Sequence, residues 1–183
     1  SAGRNTSGVR VTTIETYSFA SDGNATNHGN TVRAVMSQAG QSSATYGYTS
    51  GGQPTTNYID KFSFASSGGG TTHSNMITGT FYFCGQSSDT DGFNSGGNYS
   101  SGSDTIEKFS FSSEATSTDH GNLSTARYAG SGSSSTTHGY TAGGAAGAPE
   151  LDRIDKFTFS SSVTVTDVGN LSTNRRYGSG NQI

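Results

Sequence analysis

The chain has 183 residues and a formal charge of −3 from 10 basic and 13 acidic side chains, a length that sets an expectation of one domain over 1–183. Leu, Ile, Val and Phe fill only 26 of those positions, yet the high net charge that would join such poverty to disorder is missing. No stretch approaches the roughly 18 consecutive apolar residues of a membrane helix, the few Lys and Arg form no stripe that would neutralise nucleic acid phosphates, and a single cysteine, Cys84, excludes an internal disulfide.

The few apolar residues are organised. Ile14-Glu15-Thr16-Tyr17-Ser18-Phe19 is repeated as Ile59-Asp60-Lys61-Phe62-Ser63-Phe64, Ile106-Glu107-Lys108-Phe109-Ser110-Phe111 and Ile154-Asp155-Lys156-Phe157-Thr158-Phe159, with starts 45, 47 and 48 residues apart. A segment ending in two glycines precedes three of them: Gly51-Gly52, Gly96-Gly97 and Gly143-Gly144. After each comes a short turn element with Asn30, Asn75, Asn122 or Asn170, and ten residues later a glycine, Gly40, Gly85, Gly132 or Gly180. Landmarks that keep one register across the chain mark a structural repeat of about 45–48 residues.

Within a repeat, side chains alternate, so Phe62 and Phe64 point to one face of a strand while Ile59 and Ser63 point to the other. A strand apolar on both faces needs cover on both, which a face-to-face stack of small sheets supplies. With 27 glycines and abundant Ser and Thr opposing helix, the expected fold class is all-β. The gap from the double glycine to the next Ile is seven, nine and ten residues, so the length variation falls in an exposed turn.

An aromatic residue and a double glycine ending one strand, a variable turn, an Ile-acid-x-aromatic strand, an Asn turn and an arginine before a glycine-rich strand together resemble the kelch repeat. The residues matching its arginine are Arg33, Arg127 and Arg175, with Thr78 in the second repeat; Trp is absent. The resemblance implies a kelch-like β-propeller of four repeats. Closure would come from one blade assembled from both termini, Ser1-Ala2-Gly3 joining Gly180 to Ile183; a fragment of a larger propeller is the rival. The Gly- and Ser-rich texture resembles repeats in virion and tail proteins of marine bacteriophages, which implies a non-catalytic virion-associated protein. Its expected partners are other virion proteins or a host-surface polysaccharide. The alternative is a secreted or cell-surface lectin-like protein of a marine bacterium; an enzyme with a site on a central channel ranks third.

Candidate chemistry is sparse. His28, His73 and His120 share one repeat position and would ring a common axis, but Val168 takes the fourth place, so inheritance of a turn residue is the simpler reading and no metal or cofactor is expected. Asp89-Thr90-Asp91-Gly92 and Ser21-Asp22-Gly23-Asn24 lack the spaced ligands of a calcium loop. The recurring acids Glu15, Asp60, Glu107 and Asp155 are expected to bond a neighbouring turn or pair with Arg33, Arg127 or Arg175. Cys84, in the most apolar run, reads as a buried small hydrophobe. The variable turns, 53–58, 98–105 and 145–153, are the expected ligand-binding rim, with Tyr58, Asn98, Tyr99 and Arg153 as its contact residues.

Overall fold

A computed structural model describes residues 3–180; Ser1, Ala2 and Asn181 to Ile183, on which the expected closure of a ring partly rests, lie outside them. The described residues are all β, arranged as five small sheets. A hairpin pairs β1 (Gly3–Arg4) with β2 (Arg10–Val11). Sheet I follows with β3 (Thr13–Thr16) and β4 (Thr26–Asn30). Sheet II is β5 (Ala39–Ser42), β6 (Tyr46–Ser50), β7 (Tyr58–Ser63) and, after the short β8 (Gly68–Gly69), β9 (Thr71–Asn75). Sheet III runs β10 (Cys84–Ser87), β11 (Asp91–Ser95), β12 (Ser103–Ser110) and β13 (Thr118–Arg127). Sheet IV runs β14 (Ser131–Ser134), β15 (His138–Ala142), β16 (Arg153–Thr158) and, after β17 (Val163–Thr164), β18 (Thr166–Asn170).

Sheets II, III and IV are antiparallel meanders in one register, with Gly47 opposite Phe62, Gly92 opposite Phe109 and Gly139 opposite Phe157. Each phenylalanine ring lies across its glycine: a Cβ added at any of the three would sit 2.3 Å from the ring's Cζ. Glycine here makes room for an aromatic side chain that would otherwise stand off the sheet.

The sheets stack face to face, and their innermost strands approach without side chains between them. A Cβ at Gly85 would lie 2.3 Å from the Gly40 carbonyl oxygen, one at Gly132 2.4 Å from that of Gly85, and one at Gly180 1.6 Å from that of Gly132. Among the described residues Gly40 itself faces open space on its side. Main-chain bonds cross the same interfaces. The amides of Tyr82, Ala129 and Tyr177 donate in turn to the carbonyls of Ser37, Tyr82 and Ala129, at 3.0, 2.6 and 2.7 Å. At the outer side, β8 and β17 each add a two-residue parallel pairing to the last long strand of the sheet before, β4 and β13.

Aromatic packing fills the space between. Tyr48 stacks on Phe111 at 4.6 Å and meets Phe109 edge-on; one interface later, Phe93 stacks on Phe159 at 4.7 Å beside Phe157. Ile59, Met76 and Phe83 complete the first of these clusters, and Ile106, Leu123 and Val165 the second. Between sheets I and II the matching aromatic partner is absent among the described residues. Phe62, Phe64 and His28 instead line a groove of about 680 Å³, with Phe64 about half exposed.

This difference sets a test. Gly92→Ala must displace the buried Phe109 ring and is expected to destabilise by about 1–3 kcal/mol in urea unfolding. Gly47→Ala, whose Phe62 can swing into the groove, is expected to cost clearly less; equal losses would contradict this account of the interfaces.

Candidate functional site

The three repeated histidines are latches between sheets. Nε2 of His28, His73 and His120 lies 2.7, 2.8 and 2.8 Å from the carbonyl oxygens of Ser63, Ser110 and Thr158, each the residue between the two phenylalanines of the following sheet. A carbonyl only accepts, so Nε2 carries the proton in each. The histidines sit in three successive interfaces, and among the described residues no group of three His, Cys, Asp or Glu side chains could hold a metal ion.

Three of the four repeated acids, Asp60, Glu107 and Asp155, face the sheet before them, whereas Glu15 is exposed. Arg33 pairs with Asp60 and also donates to Thr72 Oγ1 at 3.1 Å. Arg127 donates to Asp155 at 2.7 Å with both side chains fully buried, and Ser124 adds its amide and hydroxyl to the same carboxylate. Burial pulls the Arg127 pKa below its ordinary value, and Asp155 opposes that shift. In the middle interface Thr78 stands where an arginine would, and Glu107 accepts instead from the amides of Ile77 and Thr78 and from the Ser117 hydroxyl. Arg175 is exposed and turns back to Thr173.

The double glycines end β6, β11 and β15 with positive φ at both residues of each pair, at 57° and 117°, 75° and 106°, and 65° and 99°. Their amides bond across the variable turns and to the connection that follows; Gly97 donates to Arg127 and Gly144 to Arg175. Side chains at these positions would be strained as well as crowded.

Of the rim residues expected from sequence, the structure brings Asn98 and Tyr99 into a shared cluster and places the other two elsewhere. Tyr58 lies under the Arg33 guanidinium, 3.5 Å from its carbon. Arg153 binds Asp167 at 3.1 Å and reaches the hydroxyls of Ser124 and Thr125 on sheet III, so it serves the stack.

Tyr99 instead joins a patch of four tyrosines. Its ring centroid lies 5.5 Å from Tyr82 and 5.2 Å from Tyr128, and Tyr82 lies 5.6 Å from Tyr177. Tyr82 and Tyr177 occupy one repeat position with Ser37 and Ala129, and all four have φ between 55° and 60°. That left-handed backbone is uncommon outside glycine; the staircase of main-chain bonds described above holds it and sets these side chains at one end of the stacked inner strands. Asn98, also left-handed at φ 64°, donates its amide to Phe81 and Thr80 and so folds the Tyr99 turn back onto the cluster. Arg176 donates to the Tyr128 hydroxyl, lies 5.3 Å over the Tyr177 ring and pairs with Glu150. Burial, followed by the neighbouring Tyr82, pushes the Tyr177 phenol pKa up. Tyr99 and Tyr177 remain about half exposed. The resulting surface has flat apolar faces bordered by hydroxyl, amide, guanidinium and carboxylate groups. Spacing within the repeat could have paired Tyr82 with Tyr177, but the arrival of Tyr99 depends on the turn.

Cys84 is buried, and its thiol pKa is pushed up from 9.0 to about 12 by burial, with Arg127 pulling the other way. A proton held more tightly in the folded state stabilises fully below pH about 9. That stabilisation falls by up to about 1.4 kcal/mol per pH unit as the pH rises towards 12. Cys84→Ala is therefore expected to flatten the decline of the urea midpoint between pH 9 and 10.5, and an unchanged slope would refute the assignment. For the arginines, Arg127→Met strands a buried carboxylate and is expected to cost about 3–5 kcal/mol. Arg33→Met, where the guanidinium is itself partly exposed and water can take its place, should cost about 1–2 kcal/mol in the same assay. Comparison with known proteins finds no family model that matches this chain and no curated protein that matches it.

Proposed function

We propose that the protein is a non-catalytic, kelch-like β-propeller unit whose sheets II, III and IV are blades and whose tyrosine patch binds a partner surface. Four blades, one of them shared between the chain's two ends, is the arrangement its four repeats favour. The open side of Gly40 and the groove at Phe62 and Phe64 are where a neighbouring blade's inner strands would seat. A virion or tail-associated role in a bacteriophage is the setting we favour, with host-surface polysaccharide as the ligand; a secreted or cell-surface lectin-like protein is the second reading and uses the same patch.

The observation that carries this reading is the half-exposed pair Tyr99 and Tyr177 in a cluster with Tyr82 and Tyr128. A pyranose offers a C–H face that packs on such rings, while its hydroxyls need the polar groups that border them. The side chains are also pre-placed, Tyr82 and Tyr177 by the main-chain staircase and Tyr99 by its turn, so little ordering entropy is lost on binding.

A polysaccharide array probed with the purified protein tests it. Binding to at least one glycan is expected, weakened at least tenfold by Tyr99→Ala with the unfolding midpoint little changed. Silence across the array, or binding indifferent to both Tyr99→Ala and Tyr177→Ala, would remove the tyrosine patch as a sugar site.

A further inference from the structure

We propose that the cleft between sheets II and III is a binding site for the guanidinium group of an arginine presented by a partner protein. This proposal stands on the inter-sheet geometry and is independent of the tyrosine patch.

The three interfaces each bring an acid to the same place, and two of them meet it with a guanidinium, supplied from repeat positions two residues apart: Arg33 lies three residues after Asn30 and Arg127 five after Asn122. Between sheets I and II, Arg33 bridges Asp60 on β7 and Thr72, the residue opposite it on β9. Between sheets III and IV, Arg127 holds Asp155 on β16 while Arg153 holds Asp167, the residue opposite Asp155 on β18. In the middle interface the corresponding pair is Glu107 on β12 and Asp119 opposite it on β13, two carboxylates where the first interface has one. No such cation is present: Thr78 and Thr80 stand at the positions of Arg33 and Arg127, and Thr105 at that of Arg153. No salt bridge involves Glu107 or Asp119 among the described residues.

What remains is a cleft of about 470 Å³ lined by Thr78, Thr105, Glu107, Asp119 and Asn94. Glu107 is 7% exposed, and its hydrogen bonds come from two amides and a hydroxyl, none of which carries charge. Asn94, only 4% exposed, accepts from Gln41 through its oxygen, while its Nδ2 has no hydrogen-bond partner. A buried donor without an acceptor is costly and uncommon. The cleft thus asks for a planar cation between Glu107 and Asp119, as Arg33 lies between Asp60 and Thr72, together with an acceptor oxygen for Asn94. A peptide arginine has both, in its side chain and its main-chain carbonyl. The planar fork suits two carboxylates better than an ammonium does.

Titration of the full-length protein with Nα-acetyl-L-arginine amide, followed by heteronuclear NMR shifts, tests the assignment. Saturable shifts are expected at the amides of Ile77, Thr78 and Glu107, with the lysine analogue and ethylguanidinium each at least threefold weaker. Thr78→Arg, which places the chain's own guanidinium in the cleft, is expected to raise the apparent Kd at least tenfold while keeping the fold. Glu107→Gln is expected to do the same but turns one of the two oxygens that accept from three donors into a donor, so Thr78→Arg is the deciding variant. Absence of saturable shifts, or an affinity that Thr78→Arg leaves unchanged, overturns the site; equal binding of ethylguanidinium overturns the peptide assignment.

Discussion

Everything in this molecule depends on how closely the innermost strands of adjacent sheets can approach. Where Gly85 meets the Gly40 carbonyl and Gly132 meets that of Gly85, any Cβ would collide with backbone, and backbone cannot swing aside as a flexible side chain can. With the strands that near, Gln86 spans to Tyr140 and Thr141 of the next sheet, and Ser42 and Ser87 donate their amides to Ser87 and Ser134 hydroxyls. Farther out, the spacing must admit stacked rings, as at Tyr48 and Phe111. Glycine on one side and aromatics on the other make each interface a wedge, and a chain with few aliphatic residues obtains its core from a small number of large ones.

The outer half of the wedge poses a polar problem, because in sheets II, III and IV the acid after the Ile is carried inside with the phenylalanines, while Glu15 on sheet I is exposed. The chain meets it in three ways. Asp60 and Asp155 take an arginine from the sheet before. Glu107, one methylene longer, accepts from the amides of both Ile77 and Thr78, whereas Asp155 takes one such amide, that of Ser124, beside its arginine. Ser117 and Ser124 then complete the shells of Glu107 and Asp155. Buried carboxylates tolerate such variation only while each retains several donors, and the middle interface retains them at the cost of leaving a cleft.

Much of this was legible in the residue pattern and some of it was not. Period-two alternation placed Ile59 and Phe62 on opposite faces, and both are packed or lining a groove as that requires; the shared register of the glycines and the Ile-acid motif marked the sheets and their all-β class. The acid–arginine pairs were also legible, since both members recur. The histidine latch was hidden because its acceptor is a main-chain carbonyl, and any residue at 63, 110 or 158 supplies one. The tyrosine patch was half hidden for a similar reason. Tyr82 and Tyr177 repeat in register, but their direction is set by a left-handed backbone that an Ala at 129 and a Ser at 37 adopt equally. Tyr58 and Arg153 flank variable turns, which is all the sequence shows of them; their contacts with an adjoining sheet depend on the stacking.

The two faces at the ends of the stack show how far the sequence tracks its surroundings. On sheet IV the latch position holds Val168, half exposed, and no following carbonyl lies there among the described residues for a histidine to meet. Arg175, with no acid paired to it among the described residues, folds back on Thr173. At the other end no described atom fills the space beside Gly40 that the neighbouring strand fills beside Gly85, Gly47 is covered by its own Phe62 as Gly92 is by Phe109, and His28 still latches to Ser63. One end has therefore lost the latch while the other retains the glycines a further inner strand would need. The repeat is directional: sheet III supplies histidine and aromatic to the sheet after it, and glycine and acid to the one before.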